Sequence, residues 1–140
     1  MSADFLDSNV FVYLFDEAEP RKTQIAKKLL HGALKDKATH ISFQVVQETL
    51  NVITRKLAKP VKLEDAQAFL AQVLMPLCSV LPSQRLYRVA LELPTRFSLS
   101  FYDALIVAAA LEAGCTRLLS EDMQHGLRIE TLRIENPFKR

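Results

Sequence analysis

Little in the sequence marks the chain for an oxidising compartment or a membrane. Cysteine is scarce: Cys78 and Cys115 are the only two. They lie far apart in apolar segments, outside any CxxC and away from any histidine cluster, which argues against a disulfide framework or a thiolate metal site. Both are read as free core thiols, as expected in a reducing cytoplasm. Long hydrophobic runs are also missing, since none approaches the roughly 20 residues that cross a bilayer. The opening "MSADFLDSN" carries Asp before any apolar run, against a secretory signal. The expectation is a soluble, cytoplasmic protein with no membrane partner. A strong charge of one sign is absent too, with 18 basic residues against 16 acidic ones and a net charge of +2. That balance excludes binding nucleic acid by electrostatics alone, while permitting a polyanionic partner. No internal repeat or low-complexity tract occurs.

What is present suits one compact domain spanning residues 1–140, with 49% hydrophobic and 24% charged residues. Short β-like runs alternate with stretches of helical period, which predicts a three-layer α/β/α sandwich around a mostly parallel sheet. "ADFL" (Ala3 to Leu6) reads as the first strand, with a helix following from a Ser8 or Asp7 cap. "EPRKTQIAKKLLHGALKD" reads as a helix with Pro20 in its first turn. "THISF" (Thr39 to Phe43) is the second strand, and the helix after it carries the apolar stripe Val45, Val46, Leu50, Ile53 and Leu57, with Glu48 beside it. Pro60 breaks the chain. "LEDAQAFLAQVLM" is expected as one amphipathic helix, "LCSVL" as a strand between Pro76 and Pro82, and "SQRLYRVALEL" as a helix capped by Ser83. The helix in "SLSFYDALIVAAALEAG" is apolar enough for complete burial. "TRLLS" (Thr116 to Ser120) is a further strand, and "LRIETLRIENPF" a final strand or edge pair.

Ligands in open parallel sheets gather outside the carboxyl ends of the strands. Asp7 follows the first strand, Glu48 lies in the early turns after "THISF", Asp103 begins the buried helix, and Asp122 follows "RLLS". Each has a plainer reading: Asp7 as a helix cap, Asp103 as the N3 residue of a capping box opened by Ser100, Asp122 as a turn residue, Glu48 as a solvated helix residue. Placed together they repel, and desolvated carboxylates need a counter-charge. With no Cys or His in the set, hard oxygen ligands select Mg²⁺ or Mn²⁺. Asn9 and Ser120 stand beside Asp7 and Asp122 with oxygen atoms of their own.

In order and spacing these segments resemble the PIN domain, and within it the VapC type of toxin ribonuclease. The resemblance is carried by "FLDSNVFVYLFD", "ISFQVVQETLNVITRKL", "LSFYDALIVAAALEAGC", "LLSEDMQHG" and the tail "GLRIETLRIENPF". It implies a metal-dependent endoribonuclease, made with a cognate antitoxin protein and built as a homodimer. Asp7, Glu48, Asp103 and Asp122 match the family's acidic tetrad, with Asn9 and Ser120 as supporting polar positions and Glu121 as the alternative to Asp122. Hydrolysis of RNA assisted by Mg²⁺ or Mn²⁺ would leave 5′-phosphate and 3′-hydroxyl ends. His31, His40 and His125 fall outside the motifs, so a path through the 2′-hydroxyl lacks an evident acid–base pair. Arg55, Lys56 and Lys59 are candidates for RNA-backbone contact, whereas Lys27 and Lys28 read as a solvated face. The antitoxin is expected in an apolar groove between "QIAKKLL" and "AQAFLAQVLM". Two other readings stand beside this one. A haloacid-dehalogenase-like phosphatase would need D-x-D, and Asn9 occupies the place of its second Asp. A catalytically weak PIN scaffold that binds RNA or protein is the more serious alternative.

Overall fold

The structure is a computed structural model and describes residues 3–140; Met1 and Ser2, where the expected domain begins, lie outside the described residues. Its centre is a six-stranded sheet in the order β3-β2-β1-β4-β6-β5. The strands are β1 (Asp4–Leu6), β2 (Thr39–Ser42), β3 (Cys78–Val80), β4 (Arg117–Leu119), β5 (Arg128–Ile129) and β6 (Leu132–Glu135). All neighbours are parallel except the β5–β6 edge pair. The chain runs outward from β1 to β2 and β3, then returns to the other side of β1 to place β4. Strand order therefore reverses between β1 and β4, and a crevice opens at their carboxyl ends.

The first direction of winding uses α1 (Ser8–Val12), α2 (Pro20–Asp36), α3 (Phe43–Arg55) and α4 (Leu63–Phe69). The return uses α6 (Gln84–Glu92) and α7 (Phe101–Glu112), after the single turn α5 (Met75–Leu77). The right-handed rule for crossovers between parallel strands assigns the two groups to opposite faces of the sheet, and helices α6 and α7 pack on each other. Helix α7 is enclosed from Ala104 to Ala110, as its all-round apolar sequence requires. Its alanines let α6 pack closely on it, and α7 also lies against β2. Gly114, at φ +73°, ends α7: its N–H donates to the Leu111 carbonyl and the Cys115 N–H to the Ala110 carbonyl, both at 3.0 Å. This is the Schellman closure, and the left-handed residue it needs is the one glycine there.

Several expectations are corrected. "LEDAQAFLAQVLM" is not one regular helix. Between α4 and α5 the Leu70–Leu74 turn widens, and the Met75 N–H reaches back five residues to the Leu70 carbonyl. Pro76 explains this, because it has no N–H for the Gln72 carbonyl and its ring would collide with an α-helical turn. Phe69 packs edge-on against Phe11 and Phe15, and Leu74 is fully buried. Leu74 belongs to the core, and Phe69 is partly buried against it. Cys78, on the edge strand β3, is half-buried, whereas Cys115 is enclosed as expected. The strand expected through Phe43 ends one residue earlier, where α3 begins.

Candidate active site

Four separate segments deliver carboxylates to the carboxyl end of the sheet. β1 runs straight into Asp7, which caps α1: its Oδ1 accepts the Ser8 N–H at 2.8 Å. Its Oδ2 accepts the Ser120 hydroxyl at 2.7 Å, and its own N–H donates to the Leu119 carbonyl at 3.0 Å. Asp7 is thus held at both oxygens and is only 6% exposed. β4 continues into Ser120, whose Oγ also accepts the Asp122 N–H at 3.2 Å. Asn9 spans the crevice, donating from Nδ2 to Asp122 Oδ2 at 3.2 Å and accepting the Glu121 N–H at 3.3 Å. Asp103 sits in the first turn of α7, where Ser100 Oγ accepts its N–H at 3.2 Å. Ser100 is thus the N-cap of α7, as the capping reading expected. Glu48 lies in the second turn of α3, half-buried.

The acids feel one another. Burial pushes the Asp7 pKa up from 3.8 to about 6; its hydrogen bonds from Ser120 and Ser8 oppose this, and the charges of Asp122 and Asp103 add to it. Burial likewise raises Glu48, with repulsion from Asp7, Asp103 and Asp122 and a counteracting Gln44 amide. Asp103 is raised by burial and by Asp122, against the Ser100 hydroxyl. Among the described residues no cation forms an ion pair with any of the four; the ion pairs lie elsewhere. Such a set of unneutralised hard-oxygen donors fits a divalent cation in its chemistry. The buried Gln44 Oε1, on the helix face of Glu48, has no hydrogen-bond partner either. The spacing is looser than the chemistry, since among the described residues no three acidic, His or Cys side chains stand close enough to share an ion.

The sequence matches the PIN domain family over residues 5–126. The chain belongs to the PIN domain family. Solved structures of similar fold include the Mycobacterium tuberculosis toxin VapC20, described as cleaving the sarcin–ricin loop, at 23% identity and TM-score 0.64 over 86% of this chain and 90% of that one. A toxin–antitoxin complex from Klebsiella pneumoniae aligns at 19% identity and TM-score 0.67, over 97% and 98%. VapBC2 from Rickettsia felis, bound to a DNA fragment of its promoter, aligns at 21% and 0.62, over 96% and 98%. No curated protein matches the sequence.

Within this PIN domain, Glu121 points away from the acid cluster. Lys22 Nζ pairs with it at 2.6 Å, and the Tyr13 hydroxyl donates to its other oxygen. Glu121 is thereby neutralised, which leaves Asp122 as the acid of that turn facing Asp7. Lys22 also donates to the Tyr13 oxygen at 3.2 Å, and its pKa is raised first by Glu121 and then by Tyr13. This network, which joins α2 and the chain after α1 to the turn after β4, has no local sign in the sequence. Gln44 was also missed; its amide donates to the Tyr102 carbonyl at 3.1 Å and ties α3 to the start of α7. Its position one turn before Glu48 was the available signal. Arg55 lies two helical turns from Glu48 along α3, about 10 Å, and with Lys56 and Lys59 is exposed outside the cluster. Lys59 faces Glu17 at 4.0 Å, with both side chains more than four-fifths exposed, a pair too solvated to matter for stability.

Proposed function

We propose that this PIN domain, residues 1–140, is the toxin of a toxin–antitoxin pair and a metal-dependent endoribonuclease. The observation that carries the reading is the convergence of four carboxylates, from four separate segments, where burial and mutual repulsion raise the pKa of Asp7, Glu48 and Asp103 and no cation among the described residues pairs with any of the four. Asp7, Glu48, Asp103 and Asp122 would hold Mg²⁺ or Mn²⁺. The bound cation would supply charge to activate a water and to stabilise the leaving 3′ oxygen of a phosphodiester, giving 5′-phosphate and 3′-hydroxyl ends. Ser8 and Ser120 fix both oxygens of Asp7, so this carboxylate stands in one orientation before any ligand arrives. A pKa near 6 still leaves it ionised at neutral pH. Asn9 orients Asp122, and Ser100 fixes the turn that presents Asp103. Arg55, Lys56 and Lys59 contact the RNA backbone away from the acids. The protein works as a cytoplasmic homodimer, and a cognate antitoxin protein covers the acid cluster until it is removed.

A second reading, a PIN scaffold that holds RNA or protein without cutting, is favoured by the loose spacing of the acids. One experiment separates the two: mapping cleavage ends in total RNA after brief expression, with folded Asp7→Asn protein as control. New 5′-phosphate ends that need wild-type protein and are lost on chelation support the nuclease. Ends bearing 2′,3′-cyclic phosphate, or cleavage that survives chelation, overturn its mechanism, and no cleavage at all favours the scaffold.

A further inference from the structure

Folding buries large aromatic rings wherever packing permits, yet two stand open at the edge of the acid cluster. Tyr102 is 68% exposed and Phe101 38%. They are the residues immediately before Asp103, so the chain sets them within one or two Cα steps, about 4–8 Å, of a cluster acid. The rings meet edge to face, with centroids 5.6 Å apart and planes at 71°. Phe101 therefore braces Tyr102, and the Gln44 bond to the Tyr102 carbonyl fixes the backbone beneath it. Around them the field is unfavourable to RNA. Asp7, Glu48, Asp103 and Asp122 repel phosphate, and Arg55 and Lys56 stand some two turns along α3. In the metal-free protein, affinity beside the cluster must come from an uncharged surface, and an aromatic face provides one because every base has a complementary π-face.

We propose that Tyr102, braced by Phe101, is a stacking platform for one unpaired nucleobase of a single-stranded RNA lying across the acid cluster. The proposal rests on the nuclease reading for its choice of ligand, but its test does not depend on cleavage. The chain contains no tryptophan, so Tyr102→Trp introduces a unique indole at the platform. With EDTA present, titration of this variant with a short single-stranded oligoribonucleotide is expected to quench the indole as the complex forms. In wild type, measured by anisotropy of the labelled oligonucleotide, an abasic substitution at one position should weaken binding about 5- to 150-fold, the factor for one stacked base. Tyr102→Ala should lose a similar factor and become indifferent to that abasic position, while Tyr102→Phe binds as wild type does.

Binding without quenching, or equal affinity in Tyr102→Ala, overturns the platform, as does a wild type that binds no RNA. Loss of a protein partner in Tyr102→Ala with RNA affinity intact assigns the rings to a protein contact and also overturns it. If wild type shows the stacking signature yet cleaves nothing with Mg²⁺ or Mn²⁺ added, the nuclease reading fails and the platform stands. If wild type cleaves and Tyr102→Ala cleaves with unchanged kcat/KM, the platform fails alone.

Discussion

Asp7→Asn is expected to make the metal-free protein more stable at neutral pH, although the same change should abolish cleavage. Burial raises the Asp7 pKa from 3.8 to about 6 in the folded state, and each pH unit between the two values is worth about 1.4 kcal/mol. Ionised Asp7 therefore costs the fold about 3 kcal/mol. The sign follows from proton binding. Between pH 4 and pH 6 the folded chain keeps a proton that the unfolded chain has released, so stability falls as pH rises through that window and stays low above it. Asparagine removes the charge and keeps an oxygen for the Ser8 N–H. Its amide can donate to Ser120 Oγ but leaves the Ser120 proton in need of another acceptor, a loss of about 1 kcal/mol. The net gain is about 2 kcal/mol at pH 7.5, or roughly 8 °C in Tm for a domain of this size; below about pH 4 the charge penalty is gone and only the loss of about 1 kcal/mol is left. Urea or thermal unfolding in EDTA, followed by circular dichroism at pH 4, 5.5 and 7.5, measures it. An Asp7→Asn protein that is equally or less stable than wild type at all three would refute the account of a penalised carboxylate.

Three further outcomes are expected. Mn²⁺ at a hundred times its Kd should stabilise wild type against urea by about 2.7 kcal/mol and leave Asp103→Asn nearly unmoved; equal effects on both would place the ion elsewhere. Gly114→Ala puts a side chain at φ +73° with open space around its Cβ, so the loss should be conformational, about 1 kcal/mol, read as a shift of urea midpoint with an unchanged m-value. Ala110→Leu forces a large side chain into a fully buried position of α7 and should destabilise by about 1–3 kcal/mol; a neutral effect in thermal unfolding would mean that the core around α7 has room to spare.

Features set by near neighbours along the chain were legible in the sequence. Ser100 and Asp103 form a local cap, the apolar run behind them has no polar side to expose, and Asp7 must follow a strand that ends at Leu6. The tail was legible as strand, single or paired, because its alternation has period two. What stayed hidden was set by distant partners or by a single awkward residue. Lys22 reads as one more solvated cation until the turn after β4 brings Glu121 to it. Glu121 and Asp122 look interchangeable as neighbours, and the Lys22 and Tyr13 contacts to Glu121 separate their surroundings. The widened turn at Leu70–Leu74 arises from Pro76, whose effect falls several residues upstream, where the hydrophobic pattern still looks helical. Leu74 could be placed on an apolar stripe, but not assigned to full burial.

The hydrogen bond between Ser120 and Asp7 joins positions 113 apart, through the pairing of β1 with β4. During synthesis the first carboxylate emerges early and then waits for its companions until most of the domain has left the ribosome. Leu118 and Leu119 of β4 are core residues, so the strand that completes the acid cluster is also one that completes the hydrophobic interior. A fragment released early, or a copy cut before β4, cannot assemble the four acids. The geometry of the site is thereby tied to the integrity of the whole chain.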